Sequence, residues 1–151
     1  MKFRTDYVTN SSSSSFILGF NNQDEIHDII TNSLPSYWSY SAIKDVINDV
    51  IDGVSSKDEI IQAYIDSLDT YSVPFKGKDW WRLSREELES DEYQQFIEGI
   101  KDDWTRSFEE ELKEYDVVSI VEYEDHSDFG SIMEHDIMPN LSCTIRRISH
   151  H

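Results

Sequence analysis

The sequence predicts an α+β fold: a small sheet formed by N- and C-terminal strands, with four to five helices packed on it. Three observations lead there. Strand-like apolar runs occupy the two chain ends, around residues 16–20, 117–124 and 142–148. The middle instead repeats apolar residues at helical spacing. Two Ser-x-x-Glu patterns, Ser56-Lys57-Asp58-Glu59 and Ser84-Arg85-Glu86-Glu87, mark helix starts. With 151 residues, 38% of them hydrophobic, the chain can bury one core, so a single domain over 1–151 is expected.

Residues 2–8 carry the β-formers Phe3, Thr5, Tyr7 and Val8, and Ser11 to Ser15 read as a loop before a strand over 16–20. Ile26, Ile29, Ile30 and Leu34 form one helix, which Pro35 stops. Ile43, Val46, Ile47, Val50 and Ile51 form a second, with Gly53 as a natural terminal residue. The third helix begins at the Ser56 pattern and continues through Ile60, Ile61, Tyr64, Ile65 and Leu68. After a loop over 69–79, Trp80-Trp81 and the Ser84 pattern, a long helix covers about residues 91–115. Tyr93, Phe96, Ile97, Ile100, Trp104, Phe108, Leu112 and Tyr115 line one face of it, and Glu98, Asp102, Asp103, Glu109 and Glu110 the other. A strand follows over 117–124, whose nearly continuous apolar run favours parallel pairing. A polar loop over 125–130, a short helix over 131–138 ended by Pro139, and a last strand over 142–148 complete the reading.

The formal net charge is −18, from 31 acidic and 13 basic residues. Nucleic acid and anionic membrane surfaces need a positive footprint, so direct nucleic-acid binding and membrane association are not expected. The partners that suit this surface are cations and basic protein patches. The single cysteine, Cys143, rules out an intramolecular disulfide and fits a reducing compartment. Neither a secretory signal nor an apolar run of membrane-spanning length is apparent, and the cytoplasm is the expected location.

One segment has a recognisable form. Thr5-Asp6-Tyr7-Val8-Thr9-Asn10, followed by Ser11 to Ser15 and Phe16, resembles an N-terminal signature shared by a set of uncharacterised bacterial proteins. The resemblance covers about fifteen residues and implies a bacterial cytoplasmic protein, with no activity attached. Physically, backbone N–H groups and hydroxyls in a Ser-rich turn make an anion- or partner-binding concavity from Arg4, Asn10, Ser11, Ser12 and Ser13. The alternative is that the serines satisfy turn backbone groups.

The last thirty residues hold four of the five histidines, His126, His135, His150 and His151, beside Glu122, Glu124, Asp125, Asp128, Glu134 and Asp136. Imidazole with carboxylate suits a divalent transition metal, with His126, Asp128, His135 and His150 as candidate ligands. Parallel neighbouring strands would end on one edge and bring these groups together. Antiparallel ones would separate His126 from His150 by roughly 20 Å. No helical zinc-protease pattern or calcium loop is present.

Residues 86–116 contain thirteen acids and three bases, about half the linear charge density of duplex DNA. Tyr37-Trp38-Ser39-Tyr40 and Trp80-Trp81 would line a groove or anchor core edges. Lys2, Arg4, Arg146 and Arg147 are expected in internal ion pairs. Function therefore reads as a non-catalytic acidic binding or interaction protein. The alternatives are a metal-dependent, hydrolase-like enzyme using the C-terminal His/Asp/Glu cluster, and a DNA-mimic inhibitor.

Overall fold

The structure, a computed structural model, describes residues 12–150. The expected strand over 2–8 lies outside the described residues, as do Arg4, Asn10, Ser11 and His151. The chain divides into two units, one of Met1–Ile60 with Glu114–His151, the other of Ile61–Lys113. The fold is α+β, with a four-stranded antiparallel sheet that joins N- and C-terminal strands.

In the first unit β1 (Ser13–Phe20) lies between β3 (Val117–Glu124) and β4 (Thr144–His150), antiparallel to both. The two-residue β2 (Val54–Ser55) extends the sheet beyond β3. β3 and β4 thus point the same way, but one strand apart rather than as neighbours, so about 10 Å separates them. Ser13 stands opposite Glu124 on one side and His150 on the other, so β3 and β4 do end on one edge. The apolar run in β3 does not signal parallel pairing. It reflects burial within the sheet, where β1 hides Phe16, Leu18 and Phe20 on one face and Ile17 on the other.

The face carrying Phe16, Leu18 and Phe20 is the core face. Ile26 and Ile30 from α1 (Asp24–Ser33) pack there with Val46, Ile47 and Val50 from α2 (Tyr40–Asp52). Met133, Met138, Leu141 and Cys143 complete the cluster. Each such side chain contributes roughly 1.5–3 kcal/mol on full burial. Gly53 ends α2 as expected, but for a different reason. Its φ of −84° is open to any residue. What requires glycine is the neighbouring strand, because a Cβ there would run into the Ile120 carbonyl oxygen.

α3 (Lys57–Ser67) starts at the first Ser-x-x-Glu pattern, with the Glu59 N–H donating to Ser56 Oγ at 3.2 Å and the Ser56 N–H to Glu59 Oε1 at 3.3 Å. In the second unit the Ser84–Glu87 pattern forms the same reciprocal cap but opens only the single-turn α4 (Arg85–Leu88). The long α5 (Asp91–Leu112) has its own cap, Ser90, whose Oγ accepts from the Tyr93 N–H at 3.2 Å. Phe75, Leu83 and Tyr93 form a small apolar cluster there, with Leu88, Phe96 and Ile97 against it. Single 3₁₀ turns cover Thr70–Ser72 and Trp80–Arg82.

Candidate functional site

Three of the serines expected in a loop, Ser13, Ser14 and Ser15, are strand residues of β1. Side chains alternate along a strand, so the run divides between two faces. Ser14 faces the core side with Phe16, and Ser12 reaches the same polar cluster. Ser15 faces the other side with Ile17.

On the core side the serines meet Glu134, which is 0% exposed. Ser14 Oγ donates to Glu134 Oε1 at 2.9 Å, and Ser12 Oγ lies 3.0 Å from the same oxygen. Arg147, on β4 opposite Phe16, donates from Nε to Ser14 Oγ at 3.0 Å and places Nη2 3.5 Å from Glu134 Oε1. Its guanidinium also sits 5.6 Å from the Phe16 ring centroid. A buried carboxylate is tolerable only when donors and a counter-charge surround it. Here two serines and one arginine provide both.

Asp125, just past the end of β3, completes the cluster. The Ser12 N–H donates to its Oδ1 at 2.7 Å, and Ser12 Oγ lies 3.0 Å from its Oδ2. The Ser12 N–H is the main cause of a lowered Asp125 pKa; partial burial opposes it, and the Ser12 hydroxyl and His135 add to the lowering. His135 Nε2 stands 3.7 Å from Asp125 Oδ2 and 3.6 Å from Glu134 Oε2.

Local backbone brings these groups together. α6 (Asp128–Ile132) begins on Ser127, whose Oγ accepts from the Gly130 N–H at 3.0 Å. Gly130 is pressed against the end of β3, where a Cβ would collide with the Glu124 carbonyl oxygen. The helix then widens into a π-turn over Met133–Ile137. Such a turn changes the angular spacing of side chains and is common at functional sites. It sets the consecutive residues Glu134 and His135 on one cluster, Glu134 buried and His135 half-exposed.

Of the four candidate metal ligands, only His135 belongs to this cluster. His150 lies on the opposite face, with Nε2 3.0 Å from Ser15 Oγ and 3.9 Å from Glu122 Oε2. His126 is exposed and pairs with Glu124 at 2.9 Å. Asp128 occupies the first turn of α6 and is exposed. The intervening β1 and the alternation of faces keep these groups apart, although the strands end on one edge. Of the candidate anion-binding residues within the described range, Ser12 gives both its donors to protein carboxylates, and Ser13 pairs in the ladder.

Sequence reasoning placed Asp125 and Glu134 beside the histidines without choosing them as ligands, expected Arg147 only in an ion pair, and did not single out Ser14. The signal for Ser14 was the placement of serines two apart immediately before an apolar strand, a spacing that sends hydroxyls to one face. Asp125, Glu134 and His135 each offer one donor atom, all within 4.8 Å of one another. This O,O,N set suits a divalent transition metal chemically. Ser12 Oγ, however, lies between the two carboxylates. Cys143 is buried, which pushes its thiol up to about 11 and leaves it protonated at neutral pH.

No protein-family model matches the chain, and no curated protein or solved structure shows significant similarity to it. Among the described residues, no helix is long and apolar enough to cross a membrane.

Proposed function

We propose that the protein is a non-catalytic binding module of the cytoplasm whose acidic surface engages a basic protein surface. The carrying observation is the outer side of α5. Asp91, Glu92, Glu98, Asp102, Asp103, Glu109 and Glu110 are all exposed on this 22-residue helix; Arg106, Lys76 and Lys113 pair with Asp103, Glu92 and Glu110, and the other four carboxylates face only Lys101 on the helix. The reactive-looking cluster in the first unit supports the same reading, because its carboxylates are engaged by Ser12, Ser14 and Arg147. Seven carboxylates over about 33 Å of helix give at most roughly a third of the charge density of duplex DNA, and the three ion pairs lower it further. That favours a basic protein patch over imitation of DNA.

The test is binding of a nine-residue arginine peptide at about 150 mM salt, where exposed charges more than about 8 Å apart are largely screened. Saturable one-to-one binding is expected, weakened in an Asp102→Asn, Asp103→Asn, Glu109→Gln, Glu110→Gln variant. No saturable binding at that salt would reject the reading.

A second reading, a metal-dependent protein, is favoured by the convergence of Asp125, Glu134 and His135. It predicts stoichiometric Zn²⁺ or Mn²⁺ in calorimetric titration, lost in His135→Ala. Unchanged metal uptake by that variant would remove its basis.

A further inference from the structure

We propose that Tyr71, Trp80 and Trp81 in the second unit form a docking corner for an arginine-bearing segment of a partner protein, a proposal that rests on the acidic-module reading above. The three rings are contiguous: Tyr71 and Trp80 have centroids 5.4 Å apart, and Trp80 and Trp81 stand edge to face at 6.4 Å. They are nevertheless 51%, 45% and 66% exposed. Scattered exposed aromatics are ordinary, but a cluster of two tryptophans and a tyrosine has the composition of interface hot spots.

Charge selects the occupant. Each short turn bearing these rings opens on an aspartate, Asp69 before Thr70–Ser72 and Asp79 before Trp80–Arg82. Asp69 Oδ1 accepts the Tyr71 N–H at 2.9 Å, whereas the Asp79 side chain makes no capping bond. Among the described residues neither carboxylate forms an ion pair. The loop lysines are neutralised elsewhere, Lys76 by Glu92 at 2.9 Å and Lys78 by Glu87 at 3.4 Å. Arg82, exposed and next to Trp81 in the chain, adds a like charge that an incoming cation must approach.

A buried group marks the same corner. Among the described residues the Tyr93 hydroxyl has no hydrogen-bond partner, although Tyr93 is only 4% exposed. Burial raises its pKa, and Tyr71 and Asp69 are the groups that add to the rise. An unsatisfied buried hydroxyl requires an explanation, and a partner group arriving at Tyr71 and Asp69 is one. Guanidinium fits better than ammonium. It is planar, stacks on aromatic faces and presents a fork of donors to carboxylates.

The experiment compares nine-residue arginine and lysine peptides, each carrying a fluorophore, by anisotropy against wild-type protein and the Trp80→Ala, Trp81→Ala, Tyr71→Ala and Arg82→Gln variants. Circular dichroism checks that each variant folds. The corner predicts that wild type prefers arginine over lysine at least fivefold. Trp81→Ala should lose tenfold or more in affinity for the arginine peptide and lose the preference, while keeping its salt dependence. Arg82→Gln should bind more tightly. Tryptophan variants that bind like wild type, with the preference intact, would overturn the corner and leave the acidic module standing. Wild type that binds neither peptide would overturn both. A wild-type dimer that Trp81→Ala converts to monomer, with peptide affinity unchanged, would assign the rings to a second copy of the chain and also overturn the proposal.

Discussion

The cluster around Glu134 and the corner around Trp81 treat their polar groups in opposite ways. In the first, a fully buried carboxylate is met by two serine hydroxyls and the Arg147 guanidinium. In the second, rings lie open to solvent, Asp79 makes no capping bond and the Tyr93 hydroxyl finds no partner among the described residues. The contrast separates two uses of polar chemistry. Groups satisfied internally tie the start of β1 to the C-terminal part of the chain. Groups left unsatisfied are what the proposed partner would complete.

The sharpest way to break this comparison is to remove Glu134. Glu134→Ala leaves the Ser14 hydroxyl without its acceptor and Arg147 without its counter-charge, while the Ser12 hydroxyl keeps Asp125. Breaking a buried pair from one side costs about 3–5 kcal/mol. Glu134→Gln keeps an acceptor and should cost less, about 1–3 kcal/mol. Urea unfolding midpoints measure both. A Glu134→Ala protein as stable as wild type would mean that the cluster does not hold the sheet edge together.

Acid should loosen the same tie by a smaller step. The folded-state pKa of Asp125 is depressed below its ordinary 3.8, chiefly by the Ser12 N–H. A depressed carboxylate pKa contributes stability that is complete above the ordinary value and lost as pH falls through the folded one. The urea midpoint should therefore decline below pH 3.8 partly through Asp125, and Asp125→Asn should flatten that part of the curve. An acid limb identical in the variant would show that Ser12 does not hold this carboxylate.

Much of the scaffold was legible in the sequence. The bounds of β3 and both Ser-x-x-Glu caps depend on residues within a few positions of one another, and local chemistry decides them. The amphipathic period of α5 was equally plain, although the helix closes at Leu112, three residues before Tyr115. The serine segment was not legible. Serine is a turn former by its own chemistry, and its partners here lie 113–135 residues away. Glu134 was hidden for a related reason. In a chain with 31 acids, one more between Met133 and His135 resembles a solvated residue until a π-turn rotates it inward. His135 was singled out because imidazole is chemically conspicuous, whereas Arg147 was expected in an ion pair without a named partner and forms one with Glu134.

The smallest expected effect tests the open corner against a matched buried phenol. Tyr123 is 8% exposed, and its O–H donates to Asp49 Oδ2 at 2.9 Å. Tyr123→Phe removes that bond and should cost about 1 kcal/mol, the usual net worth of a hydrogen bond. Tyr93→Phe deletes a hydroxyl that bonds to nothing, so its cost should be near zero, and relief of desolvation would make the variant slightly more stable, by up to about 1 kcal/mol. Thermal and urea unfolding of the two variants side by side give the comparison directly. If the Tyr93 hydroxyl is left for a partner, Tyr93→Phe should keep its stability yet weaken the arginine peptide two- to fivefold. Equal destabilisation by the two substitutions would mean that Tyr93 is satisfied within the folded chain, and the corner would lose its buried marker.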